Sequence, residues 1–159
     1  MLEQLSFHGG FGLVIQAKGD LAVDDHHTVE DTGIALGQAL RLALGDKIGI
    51  ERFGFYLPMD DASAQVAVDL SGRSYLKFDG KFTRESISGL ATEMIPHFFR
   101  SFADGLGANL HITLIGDNTH HQIESAFKAV GRSLRSAISL TSASSSAQVA
   151  QAPSTKGIL

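Results

Sequence analysis

Two short stretches combine nitrogen and oxygen donors at the same spacing: His26-His27-Thr28-Val29-Glu30 and His120-His121-Gln122-Ile123-Glu124. On a helix, residues four apart lie on nearly the same side, roughly 6 Å apart. His26 with Glu30, and His120 with Glu124, can therefore each grip one metal ion. His27 and His121 point about 100° away from their neighbours. Each adjacent histidine pair is thus expected to serve two different ions. Imidazole plus carboxylate ligation suits manganese, iron or zinc, and a nitrogen-rich octahedral site favours manganese or iron over closed tetrahedral zinc. A lone His-His-x-x-Glu is as readily a solvated helix start, but two copies in equivalent places argue for ligation. His97 is a further candidate ligand. His111 alternates with apolar residues in a strand and reads as structural, whereas His8, beside Gly9-Gly10, is open to either reading.

Several cations could hold an anion. Arg52 follows Gly49-Ile50-Glu51, Arg73 lies in a Ser-Gly-Arg turn, and Lys128 lies one turn past Glu124. Ser154, Thr155, Lys156 and Gly157 resemble a small phosphate grip, with hydroxyl, ammonium and backbone donors together. Taken singly, each of these is more often a solvated surface charge. No glycine-rich nucleotide loop of the recognised kinds is present.

These residues need elements to position them. Residues 11–19 read as a strand. Asp24 or Asp25 can cap a helix that runs through 26–44 and ends near Gly45, with Val29, Leu36, Leu40 and Ala43 at helical spacing. Residues 64–70 alternate as a strand does, and 74–78 are expected to pair beside them through the Ser-Gly-Arg turn. Residues 87–107 read as a helix in which Pro96 marks a kink or break. A strand over 109–116 precedes a helix over 120–138, with Ile123, Phe127, Val130, Leu134 and Ala137 on one face. The polar, low-complexity stretch 139–152 reads as a mobile linker.

An internal duplication accounts for the repeated motif. At an offset of 94 residues, His26, His27, Glu30, Ala35, Gly37, Leu40, Arg41 and Ala43 meet identical residues at 120, 121, 124, 129, 131, 134, 135 and 137. At an offset of 97, Leu13, Ile15, Gly19 and Asp20 meet Leu110, Ile112, Gly116 and Asp117. The chain is therefore expected to use one strand–helix unit twice, over roughly 1–45 and 97–139, about a pseudo-two-fold axis. The same offset puts the twin of His97 one residue upstream of Met1, so the motif is expected to continue before this chain starts.

Composition narrows the rest. With 159 residues, 43% hydrophobic and 19% charged, the chain can form one domain with a core. No apolar run approaches the ~20 residues that span a bilayer, and no secretory signal is visible. Cysteine is absent, which excludes disulfides and thiolate metal sites and fits a cytoplasmic location. A net charge of −4 without a basic cluster argues against nucleic acid as a partner.

Taken together, the motifs at 24–40, 49–54, 69–76, 97–103, 110–129 and 153–157 resemble imidazoleglycerol-phosphate dehydratase, an enzyme of histidine biosynthesis, over essentially the whole chain. The resemblance implies a duplicated α+β fold of the ribosomal protein S5 domain 2-like kind, with two similar sheet-plus-helix halves. It implies a single domain to which residues before Met1 also belong, one of them an eighth metal ligand. It implies two manganese ions per site, held by His26, His27, Glu30, His97, His120, His121 and Glu124. The substrate phosphate would be held by Arg52, Arg73, Lys128, Ser154 and Lys156, with His8 near the substrate. Active sites would form between subunits of an octahedral 24-mer.

The reaction so implied removes water from imidazole glycerol phosphate to give imidazole acetol phosphate. The proton that leaves is not acidic, so the ring must be activated, a Lewis-acid role for the metal. Glu124 is the expected acid/base carboxylate and Glu30 the weaker candidate. Two other readings compete: a dinuclear metal hydrolase, and a chain in which metal serves assembly alone. A close metal pair ~3.5–4 Å apart, as such hydrolases use, sits poorly with adjacent histidines that diverge.

Overall fold

Apolar residues at strand and helix spacing meet in a sheet covered by two helices. A computed structural model describes residues 1–140 and 153–155. The elements are α1 (Leu2–Gly9), α2 (His26–Leu44), β1 (Phe53–Met59), β2 (Ala62–Asp69), β3 (Tyr75–Asp79), β4 (Ser86–Ile87), β5 (Leu90–Ala91), α3 (Met94–Leu106), β6 (Asn109–Ile115) and α4 (Thr119–Ile138). The main sheet has the order β1-β2-β6-β3, with β6 antiparallel to β2 and parallel to β3. Its register sets Ala64 opposite Leu114, Val66 opposite Ile112 and Val68 opposite Leu110, so one face is a continuous apolar surface. That face is capped by α4 and α3, whose Phe127, Phe98 and Phe99 rings cluster at centroid separations of 4.7–5.4 Å. Helices α2 and α1 then pack on α3 and α4. Among the described residues, no helix is long and apolar enough to cross a membrane.

The duplication is visible as one helix crossing made twice. Gly37 of α2 lies so close to the Phe102 carbonyl and Leu106 amide of α3 that a Cβ there would overlap them. Gly131 of α4 presses on Leu5 and Gly9 of α1, where a Cβ would stand 2.6 Å from the Leu5 oxygen and 3.0 Å from the Gly9 nitrogen. Positions 37 and 131 are 94 apart, and positions 5 and 9 lie 97 before 102 and 106. Gly10 and Gly107, also 97 apart, end α1 and α3 in the same left-handed conformation, at φ 70° and 67°. The α+β, duplicated fold expected from the sequence is therefore the fold observed.

Three expected elements differ. Residues 11–20 form no strand, and Val14 is 97% exposed. A strand needs a partner ladder, and no described segment offers one to these residues, whereas their counterpart β6 is paired on both sides. Strand β3 does not lie beside β2, because β6 occupies the position between them. The Asn109 side chain at the start of β6 donates to Ser71 Oγ and to the Arg73 carbonyl, both at 2.9 Å, and so carries the 70–74 link over the end of β6. The helix expected over 87–107 begins only at Met94. Ahead of it, Ser88 and Gly89 both take positive φ, 51° and 85°, and turn β4 and β5 into a tight hairpin. Pro96 is the third residue of α3, where its missing N–H would lack an intrahelical partner in any case. The linker expected over 139–152 falls outside the described residues from 141 onward, as does Lys156.

Candidate metal centre

The start of α2 is built by its own sequence. The His26 N–H donates to Asp24 Oδ1 at 3.0 Å, which satisfies one orphan amide of the first turn. At the equivalent place in α4, the His120 N–H donates to Asn118 Oδ1 at 2.9 Å. These matched caps present both histidine pairs at helix starts. The expected i, i+4 contacts follow: His26 Nε2 lies 3.5 Å from Glu30 Oε2, and His120 Nε2 lies 3.4 Å from Glu124 Oε2. In each pair the donors are partly exposed, open to an ion from solvent.

Packing of α2 on α3 adds His97, whose ring centroid is 4.9 Å from that of His26. His27 diverges and opens into a groove of about 640 Å³ between α2 and residues 13–20. Donor chemistry and spacing thus fit a metal pair by pair. Among the described residues, however, no three His, Asp or Glu side chains are arranged to hold one ion.

The second half is more elaborate. Glu124 Oε1 accepts from Lys128 Nζ at 2.9 Å, and this ammonium holds the Glu124 carboxyl below the usual carboxylate range. His8 reaches the same group from α1. Burial, together with the Lys128 and Arg132 charges, pushes its imidazole down. His121 Nδ1 lies 2.5 Å from Asp61 Oδ1. That hydrogen bond raises His121 and lowers Asp61. Asp61 was not anticipated from the sequence. It sits in the β1–β2 turn, and only the acidic Asp60-Asp61 pair at a strand boundary could have drawn attention to it.

The cations fall into separate groups. Arg52 forms a two-pronged contact with Asp69, at 2.5 and 3.0 Å, and donates to the Pro153 carbonyl at 2.9 Å. It therefore brings the 153–155 segment, with Ser154, against the start of β1. Arg52 itself takes a left-handed backbone, φ 72°, held by its N–H to the Ala137 carbonyl at 2.7 Å. Lys128 belongs with Glu124 as described. Arg73 is exposed in the 70–74 link, and no described contact joins it to the other cations. His111 lies on the open face of the sheet against Tyr75, at 5.8 Å between ring centroids.

Comparison with known proteins follows the same lines. The family model for Imidazoleglycerol-phosphate dehydratase matches residues 1–134. The chain is 57% identical over its full length to the histidine biosynthesis bifunctional protein HisB of Legionella pneumophila, and 55% identical to that of Stenotrophomonas maltophilia. It spans 43% of the length of each of these relatives. Its fold matches the crystal structure of imidazoleglycerol-phosphate dehydratase from Staphylococcus aureus with a TM-score of 0.82 at 43% identity, over 88% of this chain and 81% of that one. It matches the Pyrococcus furiosus protein, solved in complex with (S)-C348, with a TM-score of 0.77 at 33% identity, over 99% and 83% of the two chains. The chain belongs to the imidazoleglycerol-phosphate dehydratase family.

Proposed function

We propose that this chain carries a metal-dependent lyase site that dehydrates imidazole glycerol phosphate to imidazole acetol phosphate. The observation that carries this reading is the pair of matched imidazole–carboxylate contacts, 3.5 and 3.4 Å, at equivalent helix starts. Family membership supports this substrate class, and the similarity to the HisB relatives supports a part in histidine biosynthesis. The ligands are His26, His27, Glu30, His97, His120, His121 and Glu124, and the metal is manganese, two ions per site. Bound there, the metal supplies Lewis-acid activation of an azole ring.

The chain's own residues do the remainder. Glu124, kept ionised by Lys128, is competent to take the proton from the carbon once removed from the ring. Glu30, paired with His26 and without an ammonium partner among the described residues, is the second candidate for this role. Hydroxide departs from the carbon beside the ring, and the resulting enol becomes the ketone, so the net loss is one water. Arg52, Arg73, Lys128, Ser154 and Lys156 hold the phosphate, with His8 beside it, and fix the reacting carbons in place. Since donors gather only in pairs among the described residues, neighbouring copies complete each site in a cytoplasmic homo-oligomer of 24 subunits.

Mass analysis of the product tests the reading. Conversion of imidazole glycerol phosphate, with manganese present, to a species lighter by one water and still phosphorylated is expected. Release of free phosphate would favour the dinuclear hydrolase. Metal-dependent assembly without any conversion would leave the metal a purely structural role.

A further inference from the structure

We propose that Asp61 is a positioning residue that fixes the His121 imidazole so that its Nε2 is the ligating atom; this rests on the metal reading above. Asp61 comes from the β1–β2 turn, yet both of its oxygens are taken by the start of α4. Oδ1 lies 2.5 Å from His121 Nδ1, and Oδ2 accepts the Asn118 N–H at 3.0 Å. The two bonds fix the carboxylate in rotation as well as position. An ionised carboxylate only accepts, so Nδ1 must carry the proton. The neutral ring then offers its lone pair at Nε2 alone, in an orientation set before any ion arrives. A carboxylate behind a ligating histidine acts in this way at metal sites generally, and its loss weakens binding.

The arrangement is confined to one half. His27 is the counterpart of His121, and each ring packs edge-on against its histidine neighbour, at 5.8 and 6.1 Å, but among the described residues no carboxylate contacts His27. The duplicated ligand pairs are therefore unequal: the second arrives with its tautomer set, and the first is free to choose.

The substitution D61N separates orientation from mere support. The Asn118 N–H still needs an acceptor, so the amide oxygen stays there and the amide NH₂ faces His121 Nδ1. That nitrogen must then accept, which moves the ring proton to Nε2. In the full chain with ¹⁵N-labelled histidine, the metal-free wild type is expected to show His121 as the Nδ1–H tautomer, and D61N as the Nε2–H tautomer. Manganese affinity by calorimetry should fall about 10–100-fold in D61N. D61A, which loses both bonds, should show a mixture of tautomers and an affinity below that of the wild type. Unchanged affinity despite a shifted tautomer, or an Nδ1–H tautomer that persists in D61N, overturns the proposal. If the wild type itself binds no manganese, it is the metal reading that fails, whatever the tautomers show.

Discussion

Glu124 stands between the His120 imidazole and the Lys128 ammonium, and that placement decides its protonation. With its folded value lowered, the stability gained from the Lys128 contact is present above the ordinary glutamate value of about 4.3. It is lost as pH falls through the lowered value. K128A should thus destabilise the metal-free protein by about 0.5–1 kcal/mol at pH 7, with the difference shrinking in acid; denaturant titrations at several pH values read this directly. A constant difference across that range would mean the ammonium acts through packing instead. E124Q should lower turnover by about 10²–10⁴-fold while leaving substrate affinity little changed, as expected for a proton-transfer group. Equal losses in both would reassign Glu124 to binding. The two His–Glu pairs were legible because helical geometry alone sets their i, i+4 contact. Asp61 was not, since a turn sixty residues away reaches His121 only after β1 and β2 pack on α4. His8 was left open for the same reason: its neighbours Glu124 and Lys128 come from another helix.

At the scale of elements, the α1–α4 and α2–α3 crossings hold the histidine-bearing helices in place. Their backbones meet at glycine. G131A places a methyl 2.6 Å from the Leu5 carbonyl oxygen, an overlap that forces the helices apart. A loss of about 1–3 kcal/mol is expected from such overpacking. G12A, where nothing lies within 4 Å of the added carbon, should shift stability by less than about 0.5 kcal/mol. Equal effects in chemical denaturation would show that the crossings are looser than the geometry says. Helices α2 and α4 could be placed from their caps and apolar spacing, both of which are local. The order of the sheet could not, because whether β3 or β6 flanks β2 depends on a pairing made more than thirty residues later in the chain. Residues 11–19 carry a strand's composition yet form none here: alternation describes a side-chain pattern, whereas a strand also requires a neighbour's backbone.

For the whole molecule, donors that gather only in pairs among the described residues would leave each proposed ion short of ligands, and several large apolar side chains lie open. Phe7, Leu42 and Leu140 are each more than 70% exposed. Manganese is therefore expected to drive assembly into a large particle, and a strong chelator to reverse it. Identical elution volumes under the two conditions would separate metal from assembly. The repeat made the doubled helix crossing legible in the sequence, because helix starts and crossing glycines recur together at the same offsets. No residue pattern points to assembly, since surfaces between copies leave no periodic signature, and the expectation of it comes from the family resemblance alone.

The proposed chemistry depends on the matched imidazole–carboxylate pairs binding metal. Equilibrium dialysis against manganese tests this most directly, comparing the wild type with the double substitutions H26A/E30A and H120A/E124A. The wild type should retain about two ions per chain, and each double substitution should lose at least one of them. Retention unchanged by both double substitutions would contradict the account.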